Sequence, residues 1–145
     1  MTVEVTMATC TVQTHLDFLM RKRSTNETKI TALSQSLVTL NTELANKEKA
    51  LAESSKQLLN AMEAIQTHLA QGHYCEMSMF TAQDEARLAE VAANKKKQLA
   101  EAAVTACEHD LQAAGVRSAT LDASIQEEQT RVAELETHEQ QREAQ

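Results

Sequence analysis

Proline is absent from this 145-residue chain, and glycine occurs only twice, at Gly72 and Gly115. Without proline, nothing in the sequence removes a backbone donor or clashes with the preceding turn, so long helices meet no obligatory stop. Tryptophan is also missing, and one tyrosine and two phenylalanines leave aromatics at 2% of the residues. Such a chain has little large apolar volume for a globular core, and its expected core is a thin seam. No window approaches the ~20 consecutive apolar residues of a membrane span, and no basic start leads into an apolar run as in a secretory signal. The three cysteines are widely separated, which excludes a disulfide framework and makes a reducing cytosol the simplest setting. A glycine-rich phosphate loop and a nucleophile elbow are missing as well. The sequence therefore predicts a protein that is not an enzyme and holds no cofactor.

What remains is dominated by Ala, Leu, Glu, Gln, Lys and Thr, and the first five are strong helix formers. In the first half, Ile30, Leu33, Leu37, Leu40, Leu44, Leu51, Leu58 and Ile65 follow alternating steps of three and four, or multiples of seven. This is the spacing of a coiled-coil seam. Lys47, Ser54 and Ala61 fill complementary positions, and near residue 70 the stripe is expected to drift to Met62 and Leu69, as at a stutter. In the second half, Cys107, Leu111, Ala114, Ser118, Leu121, Ile125, Glu128, Val132, Leu135 and Glu139 keep the same rhythm. Leu88, Val91, Leu99 and Ala103 lie in another phase, which predicts a register slip between residues 92 and 107. Lys95, Lys96 and Lys97 fall in that slip, so at least one is expected beside the seam, its stem covering apolar surface while the ammonium reaches water.

The fold class expected is all-α, with two long helices forming an antiparallel coiled-coil hairpin. Arm one should cover about residues 15–70, a bend about 71–76 and arm two about 77–142. Together they make one helical hairpin over 15–145. Residues 1–14, rich in Thr and Val, are expected to be a flexible leader, and the polar stretch 136–145 to fray. Gly115 could end a helix before a cap at Ser118 or Thr120. The unbroken heptad phase and the modest cost of glycine, about 1 kcal/mol relative to alanine, favour a continuous helix.

Charge is unevenly shared. Residues 1–73 carry seven Lys and Arg against seven Asp and Glu, and residues 74–145 carry seven against fourteen, so the whole net charge of −7 belongs to the second half. That balance argues against nucleic acid as a partner. An acidic helix face can serve solvation alone, or it can meet a basic surface on a partner. Two clusters are candidate partner-binding sites. Arg21, Lys22 and Arg23 form a basic triplet suited to an acidic ring or groove, and with Asn26 they leave the seam polar at one or two layers. Tyr74, Met77, Met79 and Phe80 gather Met and aromatic side chains at the bend, either as a docking tip or as the closure of the hairpin over Leu69 and Ile65. His68, His73, Cys75, Cys107 and His109 lack metal-ligand spacing, so no metal site is predicted.

A proline-free chain of this size, with two balanced helical arms, an early basic cluster and a short bend, resembles the FliJ and YscO type of secretion stalk protein, which includes the HrpO-like proteins. The resemblance covers nearly the whole chain and is architectural, without a residue signature. It implies a cytoplasmic component of a type III secretion or flagellar export apparatus, peripheral to the inner membrane. Such a stalk enters a hexameric secretion ATPase by its open end and links it to the export gate protein. By region, Arg21, Lys22 and Arg23 would then face the ATPase, and Tyr74 to Phe80 the gate. The competing reading is a coiled-coil scaffold or an oligomeric assembly or chaperone protein unrelated to secretion, self-associating through the apolar seam.

Overall fold

Helix-forming composition and two sustained heptad patterns give two helices, α1 over Val3–Ala70 and α2 over Met77–Glu143. They pack against each other as an all-α, antiparallel hairpin. The computed structural model describes residues 3–144.

The reversal is built by α1's own C-terminus. Gly72 sits at φ +74°, in the left-handed region that glycine enters without a Cβ penalty. Its N–H donates to the Leu69 carbonyl at 3.1 Å, and the His73 N–H reaches back to the His68 carbonyl at 2.9 Å. These two bonds make a Schellman motif, which satisfies carbonyls that the helix end would leave unpaired. Beyond it, the half-buried Cys75 thiol lies 3.7 Å from the Ile65 carbonyl, to which it donates.

Burial follows one heptad phase along each helix. On α1 the least exposed residues run Val12, Leu16, Leu19, Arg23, Asn26, Ile30 and Leu33, then on through Leu58, Ala61 and Ile65 to His68. The drift expected near the bend does not occur: Met62 is 38% and Leu69 61% exposed, whereas Ile65 is buried. On α2 the sequence is Met79, Gln83, Ala86, Glu90, Ala93, Lys97, Ala100, Val104 and Cys107, continuing in phase to Glu139. The predicted register slip is therefore absent. Alanines and the stem of Lys97 hold the seam, while Leu88, Val91 and Leu99 are 70%, 52% and 72% exposed. Within the bend unit, keeping the heptad phase that faces α1 outweighs burying three isolated side chains in another phase.

Helix α1 begins at Val3, where a flexible leader over residues 1–14 was expected; residues 1 and 2 lie outside the described residues. Two features support helix there. Val12 extends the seam toward the N-terminus. The threonine hydroxyls bond to the turn before them instead of competing with the backbone, Thr11 to the Met7 carbonyl at 2.9 Å and Thr14 to the Cys10 carbonyl at 2.8 Å. Helix α2 likewise continues to Glu143 through the stretch expected to fray, and it passes through Gly115 without a break.

The chain forms two units. The terminal unit comprises Met1–Ser34 and His109–Gln145, and the bend unit Gln35–Glu108. The terminal unit contains a packed cluster of Leu16, Leu19 and Ile125 with Leu121 beside it.

Candidate protein-docking site

The terminal unit holds its helices in register with polar contacts as well as apolar ones. Asn26, 5% exposed and at a seam position, donates from Nδ2 to the Ala114 carbonyl at 2.9 Å. Its Oδ1 is buried and has no hydrogen-bond partner. A single polar residue in a coiled-coil seam sets register at some cost in stability, because only one alignment satisfies it. One interhelical ion pair and one further polar contact act alongside: Arg23 Nη1 lies 3.6 Å from Asp122 Oδ1, and the buried Glu128, which meets Arg131 of its own helix at 3.2 Å, lies 3.5 Å from His15 Nδ1 of α1.

This packing divides the basic triplet. Arg23 lies in the seam and is tied to Asp122 and, at 3.9 Å, to Glu27. Arg21 and Lys22 turn outward into a groove of about 800 Å³ that Lys29 of α1 and Arg117 and Leu121 of α2 also line. Phe18, 45% exposed, forms one wall, and the Lys22 ammonium sits 4.9 Å from its ring centroid, a cation–π contact. The side chain of Asn26 borders the same groove, and no acidic residue lines it. Phe18, Lys29, Arg117 and Leu121 were not singled out by the sequence reading. The spacing of Phe18, Arg21, Lys22, Thr25 and Lys29, on one helical face, was a usable signal. Arg117 was not legible, since only the interhelical register brings it to Lys29.

The bend residues are distributed differently. Tyr74 is 98% exposed, Met77 80% and Phe80 42%, while Met79 is half-buried in the seam. Tyr74 thus does not close the hairpin over Leu69 and Ile65; Cys75 and the Schellman motif occupy that role. The histidines nearest the bend, His68 and His73, stack edge to face with ring centroids 5.9 Å apart. Among the described residues, no three His, Cys, Asp or Glu side chains group as a metal site would require. Cys10 is exposed, Cys75 half-buried and Cys107 buried in the seam. No described helix is long and apolar enough to cross a membrane.

Chemically, the groove offers an aromatic wall, an aliphatic floor and four cationic tips. That combination suits an anionic group carried next to an apolar one, with Arg21 and Arg117 able to hold a carboxylate by two parallel N–H bonds each. Comparison with protein-family models, curated proteins and solved structures returns no match.

Proposed function

We propose that this protein is a non-enzymatic helical hairpin that works by docking on another protein, with the Phe18 groove as its contact for an acidic, partly apolar surface. One observation carries the reading: four cations, Arg21, Lys22, Lys29 and Arg117, converge around an exposed phenylalanine with no acidic neighbour in the lining, on a chain whose net charge is −7. A concentrated positive site on an acidic protein selects for local acidic partners and disfavours an extended polyanion, which the remaining surface repels. Aromatic and arginine side chains are the usual anchors of protein interfaces.

The resemblance noted above supplies the most specific form of this proposal, a stalk component of a type III secretion or flagellar export apparatus that promotes its hexameric ATPase and links it to the export gate. The groove would then meet the ATPase, and the exposed Tyr74 and Met77 the gate. The test is ATP hydrolysis by an export ATPase hexamer from the same cell. The protein should raise the rate, and the double variant Arg21→Glu/Lys22→Glu should abolish the rise with helicity unchanged. No effect of the wild-type protein at saturating amounts rejects the stalk role. Loss of every cross-linked partner in cells on the same double substitution keeps the groove as a docking site whatever the partner is.

A symmetric scaffold is the second reading, favoured by the exposure of Leu88, Val91 and Leu99 on α2. The ATPase assay separates the two, since a stalk raises the hydrolysis rate of its hexamer and a scaffold of its own copies leaves it unchanged.

A further inference from the structure

The three leucine and valine side chains left outside the seam belong to a longer pattern. On α2 of the bend unit, Phe80, Asp84, Leu88, Val91, Lys95 and Leu99 succeed one another by steps of 4, 4, 3, 4 and 4 residues. At ~3.6 residues per turn these six positions fall within roughly 100° of one another, off the seam, with Val91 and Lys95 at the edge of the groove that Leu51 and Ser55 of α1 also line. All six are solvent-exposed.

The stripe reads the same in both directions by chemical type except at one pair, and there the types are opposite charges. When a second α2 is laid antiparallel about the midpoint between Leu88 and Val91, Phe80 meets Leu99, Leu88 meets Val91, and Asp84 meets Lys95, each pairing occurring twice. Neither Asp84 nor Lys95 takes part in an ion pair within the chain among the described residues. In the same register, no position from Met77 to Ala102 is opposed by a like charge. Self-complementarity of this kind is what a two-fold interface demands, because residue i must accept residue j and residue j must accept residue i.

We propose that this outward stripe of α2 is a homodimer interface, occupied by the same stripe of a second copy running antiparallel. Each hairpin keeps its own seam, so association joins folded hairpins and does not exchange their arms. The contact extends about 28 Å from Phe80 to Leu99 at ~1.5 Å per residue. Its small size places it at the weak end of protein interfaces. Nothing in the inference rests on the Phe18 groove, which uses other residues.

Sedimentation equilibrium of the full chain across a concentration series tests it. The wild-type mass should rise from monomer to dimer. Lys95→Asp alone and Asp84→Lys alone should each weaken the dimer about tenfold or more, because each places like charges opposite one another twice. The double variant Asp84→Lys/Lys95→Asp should restore wild-type association. Rescue cannot arise within one helix, since eleven residues separate the two positions, or about 16 Å along the axis. Leu88→Glu should give a monomer at all concentrations with wild-type helicity by circular dichroism. A monomeric wild type at millimolar concentration overturns the proposal, as does a dimer that ignores the single charge reversals or a double variant that stays as weak as the singles.

Discussion

The terminal and bend units use the same heptad phase and the same two helices, yet they are held together differently. In the terminal unit, Leu16 and Leu19 face Ile125, and Asn26, Arg23 and Glu128 add contacts that only one alignment satisfies. In the bend unit, α1 supplies leucines at Leu37, Leu40, Leu44, Leu51 and Leu58, whereas α2, between Met79 at one end and the buried Val104 and Cys107 at the other, answers with Gln83, Ala86, Glu90, Ala93, Lys97 and Ala100. No interhelical ion pair occurs there among the described residues. Ten of the fourteen exposed large apolar side chains described belong to the bend unit, against four in the terminal unit. The comparison teaches that a heptad fixes which face is inward, while the size of the residues at those positions decides how much holds the helices together. Three larger α2 side chains of the bend unit, Leu88, Val91 and Leu99, lie off its own seam and are exposed where another molecule could meet them.

Four perturbations break or sharpen this contrast. The largest effect is expected from Ile125→Ala, which empties a position 2% exposed in the terminal cluster and should cost about 3 kcal/mol. Leu58→Ala in the bend unit should cost about half as much, because Leu58 is only half-buried to begin with. Urea titrations of both variants, with hydrogen exchange to localise the loss, would check this, and equal costs would erase the distinction. Next, Glu90→Leu should stabilise the bend unit by about 1–2 kcal/mol. Glu90 is a half-buried seam residue beside Leu51, in a groove of about 490 Å³ that a leucine would partly fill. A lower midpoint for this variant would mean that the groove is needed open.

Smaller again is the gain from removing polar groups in the terminal unit. Asn26→Leu relieves the buried Oδ1 and should add about 1 kcal/mol, while weakening the preference for a single register. The readout is a higher melting temperature together with broadened or doubled amide signals near Ala114. A lower melting temperature would show that the Asn26 bond to Ala114 outweighs its unsatisfied oxygen. The smallest pair concerns the glycines, with opposite signs. At Gly115 a Cβ meets nothing within 4 Å and the backbone is helical, so Gly115→Ala should stabilise by up to about 1 kcal/mol. At Gly72 space is equally open but φ is +74°, so Gly72→Ala should destabilise by about 1 kcal/mol. Equal signs for the two would contradict the Schellman reversal.

Much of the fold was legible beforehand because two helix-period patterns and one glycine left few alternatives. Ile30 to Ile65 and Cys107 to Glu139 were read in the phase they occupy. The errors came where apolar residues off the seam outcompeted alanines on it by eye: Leu88, Val91 and Leu99 suggested a slip, and Met62 and Leu69 a drift. Alanine carries too little hydrophobic signal to mark a seam by itself, and only the neighbouring helix shows that it does. The Thr-rich start misled for a related reason, since threonine's weak helix propensity is a local preference that packing of the seam through Val12, Leu16 and Leu19 overrides. Of the docking site, Arg21 and Lys22 were visible as a cluster. That Arg23 would leave it and Arg117 would join it was not.

The sequence by itself determined that the chain is helical, where it reverses, and which heptad positions could face inward, because backbone propensity and side-chain spacing are local properties. Only the tertiary structure decided the register of α1 against α2, since Asn26, Arg23 and Glu128 find Ala114, Asp122 and His15 in one alignment. From that register followed the composition of the Phe18 groove and the side of α2 on which Leu88 and Val91 were left uncovered.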